Sequence, residues 1–139
     1  MIEILKTEDL ASYKELIDEC FGASNDISIY QKYHENPNYK IFVIKEDGKV
    51  TGSITQYVID LFTFDFQPSL MLFNVAVRAE YRKNKIAKKL LEYIIENAKA
   101  EGYNSISINC LGQAHSAHNL YESFGFVKAD SVKYDLSLR

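Results

Sequence analysis

Apolar positions change their spacing several times along the chain, and each change marks an element. Ile2-Glu3-Ile4 alternates as a short strand. Asp9 then precedes a stretch in which Leu10, Tyr13, Leu16 and Ile17 share one helical face, and Gly22 stands where the helix would end, so the pattern predicts a helix capped by Asp9. A second short helix is expected over Ile27 to His34. Lys40 to Ile44 and Val50 to Tyr57 flank Glu46-Asp47-Gly48-Lys49, and because Asp-Gly adopts the positive φ angles of a tight turn, this reads as an antiparallel hairpin. An aromatic loop follows around Phe62 to Pro68, after which Leu70 to Val77 is apolar almost throughout, the pattern of a mid-sheet strand buried on both faces.

The second half of the chain is more regular. From Lys85 to Lys99, residues Ile86, Ala87, Leu90, Leu91, Ile94, Ile95 and Ala98 recur at three- and four-residue intervals, which predicts an amphipathic helix ended by Gly102. Ser105 to Cys110 then alternates, completing a strand–helix–strand crossover with parallel strands, right-handed as such units are. A last helix is expected from His115 to Phe124, and Val127 to Leu138 as a final pair of short strands. The fold class is α/β, with one domain over residues 1–139.

Composition narrows the function. With 139 residues, 25% of them charged and a net charge of −3, the chain has neither the basic surplus of a general nucleic-acid binder nor the cysteine density of a disulfide scaffold. Cys20 and Cys110 lie far apart without metal-ligand spacing, and no apolar run approaches the roughly 20 residues of a membrane span. Met1-Ile2-Glu3-Ile4 carries no basic leader, so a cytoplasmic protein with reduced thiols, no membrane partner and no metal is expected. His118 has no partner at ligand spacing except His115, which lacks a carboxylate beside it. One segment departs from the acidic background: five of the eight residues from Arg82 to Lys89 are cationic. A charge run alone reads as a solvated helix face. This one opens the amphipathic helix directly after the apolar strand, where unpaired N–H groups and the helix dipole favour an anion.

The stretch Val75-Ala76-Val77-Arg78-Ala79-Glu80-Tyr81-Arg82-Lys83-Asn84-Lys85-Ile86-Ala87-Lys88-Lys89-Leu90-Leu91 resembles the cofactor-binding signature of GNAT N-acetyltransferases, a Val-ended strand, then Tyr-Arg and an Arg/Gln-x-x-Gly-x-Gly/Ala loop opening a helix. A second block, Ala117-His118-Asn119-Leu120-Tyr121-Glu122-Ser123-Phe124-Gly125-Phe126, is similar to the family's closing Ala-x-x-x-Tyr-x-x-x-Gly-Phe segment. The resemblance implies a GNAT-like mixed, twisted sheet of about six to seven strands flanked by about four helices. It also implies acetyl-CoA as cosubstrate and a primary amine as acceptor. The backbone of Val75, Ala76 and Val77 would pair with the pantetheine arm, and Arg82, Lys83, Asn84, Lys85, Ile86 and Ala87 would form the pyrophosphate loop. Tyr121 would approach the coenzyme's sulfur as general acid.

Several positions depart from the family pattern. Lys85 stands at the first loop glycine; it is expected to take an ordinary helical conformation and to meet a phosphate with its ammonium. Ala114 replaces a frequent asparagine, with Asn109 or Asn119 as substitutes and His118 as a further cofactor contact or packing residue. Phe73 and Asn74 stand where many relatives carry an acid, leaving water or Asp60 or Asp65 to accept the amine's proton. Spacing alone would make Ala117, Leu120, Tyr121 and Phe124 a helical core stripe. Neither cysteine has a His partner, so direct transfer is favoured over an acetyl-enzyme. A coenzyme-binding regulatory module without efficient catalysis is the alternative. A homodimer is compatible with the sequence, which shows no interface.

Overall fold

Local chemistry sets the first landmark of the structure, a computed structural model that describes residues 1–22, 24, 26–30, 35–60, 67–110 and 115–139. Asp47 and Gly48 both adopt positive φ, 53° and 76°, and close a tight turn between β2 (Tyr39–Glu46) and β3 (Lys49–Ile59). β1 (Ile2–Ile4) pairs antiparallel with β2, and β3 pairs antiparallel with β4 (Ser69–Val77). β5 (Ile106–Ile108) joins β4 in parallel, giving the order β1-β2-β3-β4-β5. Residue contacts divide the chain into two compact units, Met1–Asn109 and Cys110–Arg139.

In the first unit, two helices cover opposite faces of the sheet. Helix α1 (Leu10–Phe21) sends Leu16 and Ile17 into a cluster with Leu5, Ile41, Val43, Val50 and Ala76, and Gly22 ends it in the left-handed region. Asp9 precedes α1 as expected, yet its carboxylate makes no cap bond; it is buried and accepts from Lys45 Nζ at 3.1 Å, because a nearby ammonium in a half-buried setting outcompetes a backbone N–H. Helix α2 (Ile86–Glu101) buries Ile86, Leu90, Leu91, Ile94 and Ala98 on the other face, and Gly102 terminates it at φ 76°. Gly52 on β3 is required for this packing: a Cβ there would overlap the Ile86 Cγ2 methyl and stand 3.3 Å from the Ala76 carbonyl oxygen.

The second unit holds α3 (His115–Ser123), followed by Gly125 at φ 94°. Residues 127–139 are exposed and carry no strand, with Val127, Val132, Tyr134, Leu136 and Leu138 each at least 73% exposed. The expected closing strand pair is therefore absent. Alternation decides which side chains share a face, but a strand also needs a ladder partner, and none pairs with this segment among the described residues. The described residues hold five strands and three α-helices, fewer than the six to seven and four expected. Residues 27–29 form a 3-10 turn, with the Asp26 carboxylate accepting from Ser28 N–H at 2.9 Å; the rest of the expected second helix, residues 31–34, and most of the aromatic loop, residues 61–66, lie outside the described residues. β4 also differs from expectation: Leu70, Leu72 and Ala76 are buried, whereas Phe73 is 38% exposed and Asn74 is exposed. The run buried on both faces belongs to β3, from Val50 to Gln56.

Candidate active site

β4 is paired along one edge and only briefly along the other. Its β3 edge is paired from Ser69 opposite Ile59 to Val77 opposite Gly52, with one shift of register. Its β5 edge pairs only from Leu70 to Leu72, so the two strands part at Phe73. A bulge sits at that point. Thr55 faces Phe73 and Ser53 faces Ala76, which leaves both Asn74 and Val75 opposite Ile54, and Asn74 takes φ 52°. Asparagine enters the left-handed region more readily than other side-chain-bearing residues, so it can serve as the bulged residue. Asn109 follows Ile108, the partner of Leu72, and so lies at the level where the strands separate.

Beyond Val77 the chain runs through a 3-10 turn, Ala79–Asn84, into α2. Lys85 joins the two at φ 57° and ψ 32°, in the left-handed region and not in the helical conformation expected. That conformation costs a side-chain-bearing residue about 1–2 kcal/mol. Full burial of Ile86 contributes roughly 1.5–3 kcal/mol, enough to offset a strain of that size. The Lys85 side chain is exposed, and its carbonyl accepts from Lys89 N–H at 3.1 Å. Arg82 Nε donates to the Val77 carbonyl at 3.2 Å, while Lys88 and Lys89 remain exposed. Lys83 and Asn84 lie in the 3-10 turn, and Ala87 in the first turn of α2. The Ile86 side chain belongs to the core, which leaves only its main chain for a ligand.

The structure thus gathers Val75, Ala76, Val77, Arg82, Lys83, Asn84, Lys85, Ile86, Ala87 and Asn109 in the first unit. His118, Asn119 and Tyr121 lie on α3 of the second. None of α3 is fully buried; the Tyr121 ring meets Phe126 edge-on at 6.1 Å. Burial raises the Tyr121 pKa above its usual value, with the Cys110 thiol adding to the effect. His115 and His118 rings are 6.4 Å apart. Among the described residues no group of three or more His, Cys, Asp or Glu could hold a metal ion. Ala114 and Asp65 lie outside the described residues. Asp60 follows Ile59, the partner of Ser69, and so stands five residues beyond Thr55, the partner of Phe73; at about 3.3 Å per residue that is about 17 Å along the strand, so it does not reach the bulge by itself.

Sequence reasoning missed two features. The bulge had a signal, an asparagine inside an apolar run. The attachment of α1 had none: Cys20 Sγ donates to the Val77 carbonyl at 3.4 Å, and the Glu19 carboxylate accepts from Ala79 N–H at 2.9 Å. Both contacts span more than fifty residues of chain.

Beyond Leu72, β4 pairs with no strand on its β5 side among the described residues and leads into the first turn of α2 with exposed cations beside it, which suits a long ligand with amide groups at one end and phosphates at the other. A coenzyme A thioester is such a ligand, and the residues present fit it.

The chain is similar to known N-acetyltransferases. The chain is 30% identical over 97 residues to the ribosomal protein bS18-alanine N-acetyltransferase of Escherichia coli, covering 69% of this chain and 60% of that protein. It is 31% identical over 87 residues to N-acetyltransferase 8B of Homo sapiens, covering 63% of this chain and 38% of the human protein. The chain thus spans about half the length of the curated relatives it matches. A crystal structure of an aminoglycoside acetyltransferase from an uncultured soil metagenomic sample shares the fold, with a TM-score of 0.87 at 22% identity over 100% of this chain and 96% of that one. No helix among the described residues is long and apolar enough to cross a membrane. Residues 10–126 match the family model directly, and the chain belongs to the acetyltransferase (GNAT) family.

Proposed function

We propose that the chain, working as one domain over residues 1–139, transfers an acetyl group from acetyl-CoA to a primary amine of a small-molecule acceptor by direct attack while both are bound. The observation that carries this reading is the parting of β4 from β5 at the Asn74 bulge, in line with the Lys85 entry to α2. When bound, the coenzyme supplies an activated acetyl thioester. Main-chain groups of Val75, Ala76 and Val77 hold the pantetheine arm along the part of β4 beyond its pairing with β5. The turn from Arg82 to Ala87 holds the pyrophosphate through main-chain N–H groups, and the Arg82 and Lys85 side chains add charge. Asn109, His118 and Asn119 supply further polar contacts. A main-chain N–H near Val77 stabilises the oxyanion that develops on the thioester carbonyl.

Tyr121 supplies the proton to the departing thiolate. Its raised pKa keeps the phenol protonated throughout the neutral range, which is the state an acid needs. No acid stands at Phe73 or Asn74, so the amine's proton passes to water or to a carboxylate from elsewhere in the chain, such as Asp65.

Calorimetric titration with acetyl-CoA and with its dephosphorylated fragments, followed by a thiol-release screen against amines, tests the reading. The screen includes an alanine-terminated peptide and aminoglycosides, because one relative is named for ribosomal-protein alanine and one solved neighbour for aminoglycosides. Binding that needs the pyrophosphate, with thiol release for some amine, is expected. Tyr121→Phe should lower kcat roughly 100-fold with coenzyme binding unchanged. Binding without release would favour a coenzyme-binding regulatory module instead, a reading kept open by the missing acid on β4. No binding would refute both.

A further inference from the structure

The residue that leaves β4 is buried and cationic. Arg78 is 6% exposed, and its guanidinium reaches two elements at once: Nε donates to the Val50 carbonyl of β3 at 2.6 Å, and a terminal nitrogen donates to the Ser12 carbonyl of α1 at 2.9 Å. The same nitrogen lies 3.3 Å from both Ser12 Oγ and a Glu15 carboxylate oxygen. Ser12 Oγ in turn accepts from Val50 N–H at 2.8 Å, and Arg78 N–H donates to the Thr51 carbonyl at 2.9 Å. Its neighbours on both sides also meet α1, Val77 through Cys20 and Ala79 through Glu19. Ser12, Glu15, Glu19 and Cys20 stand at i, i+3, i+7 and i+8, so one stripe of α1 is fastened to three consecutive residues at the mouth of the 79–85 turn.

We infer that Arg78 is a positioning residue for the coenzyme: through Ser12 and Val50 it makes α1 and the turn ahead of α2 move as one body. The inference rests on the acetyl-CoA reading above. A planar fork is needed for it. Lysine keeps the charge but has a single nitrogen, which cannot meet divergent carbonyls on α1 and β3 with the same geometry. Loosening that joint frees the turn from its register with α1, so the turn must be ordered again each time coenzyme binds. By reciprocity, coenzyme held in the turn also steadies α1.

Hydrogen–deuterium exchange of the unaltered protein with and without coenzyme A, together with calorimetry and melting of Arg78→Lys and Arg78→Met, tests this. Coenzyme A should slow exchange at α1 amides as well as in the turn. Arg78→Lys should still melt cooperatively, bind coenzyme A about tenfold more weakly and lose the slowing at α1 while keeping it in the turn. A merely structural arginine would lower the melting temperature and leave coenzyme affinity and the response of α1 unchanged, and that result overturns the inference. So does an α1 in the unaltered protein that ignores bound coenzyme, a readout that stands even if Arg78→Met fails to fold. Failure of the unaltered protein to bind coenzyme A would instead overturn the acetyl-transfer reading, and this inference with it.

Discussion

Lys85 adopts a left-handed backbone conformation of the kind that favours glycine, although it carries a side chain. Its surroundings impose this, since the turn must deliver Ile86 to the core. Lys85→Gly should therefore be more stable than Lys85→Ala by about 0.5–1 kcal/mol, the left-handed penalty less glycine's extra unfolded-chain entropy. Urea unfolding of the two variants measures the difference, and equal midpoints would mean that the turn relaxes once the lysine is gone. Coenzyme A affinity of the same pair reports separately on the ammonium. Tyr13 offers a test by pH. Burial, with the Tyr39 and Tyr30 phenols adding, pushes its pKa up to about 12 from an unfolded value of 10.0. The folded state then binds more protons between those values, so this contribution is complete below pH 10 and is lost as pH rises towards 12, in total about 2–3 kcal/mol. Tyr13→Phe should flatten the alkaline fall in stability, followed by urea midpoints across that window. At this scale the sequence revealed residue types better than conformations. Propensity is local and favours a helical Lys85, whereas its left-handed φ belongs to a turn that seats Ile86 against Gly52, more than thirty residues away.

Elements defined by local signals were the most legible. The hairpin follows from Asp47-Gly48, and α2 from its apolar stripe and Gly102, all contained within a few turns of chain. β4 was read as a strand correctly but as doubly buried wrongly, because an apolar run does not reveal where a neighbouring strand stops. The fit of α2 on β3 is tight enough to test. Gly52→Ala should destabilise the protein by about 1–3 kcal/mol, since the added methyl meets Ile86 and lies against the main chain of β4. Ile86→Leu lacks the offending Cγ2 branch, so combining it with Gly52→Ala should recover part of the loss. A double-mutant cycle of unfolding free energies measures that recovery, and strict additivity would show that the methyl is absorbed elsewhere.

Charge is distributed unevenly across the whole molecule: the net charge is −3, yet cations gather from Arg82 to Lys89. If that segment receives phosphates, coenzyme A binding should weaken several-fold between ionic strengths of about 0.01 M and about 0.15 M, as the screening length falls from about 30 Å to about 8 Å. Pantetheine, which lacks phosphates, should show no such dependence in the same calorimeter. The two motifs that carry the family resemblance were both readable from the chain, at either end of the segment from Val75 to Phe126. The fastening of α1 to residues 77–79 was not, because hydrogen bonds between distant segments leave no periodic trace. That fastening bears on how the protein can change over generations. The two closest oxygens that Arg78 grips, on Ser12 and Val50, belong to the main chain, which every amino acid carries. Substitutions on the side of α1 that faces away from Arg78 can accumulate without disturbing that grip, so the helix can diverge in sequence while its main-chain hold on Arg78 is inherited intact.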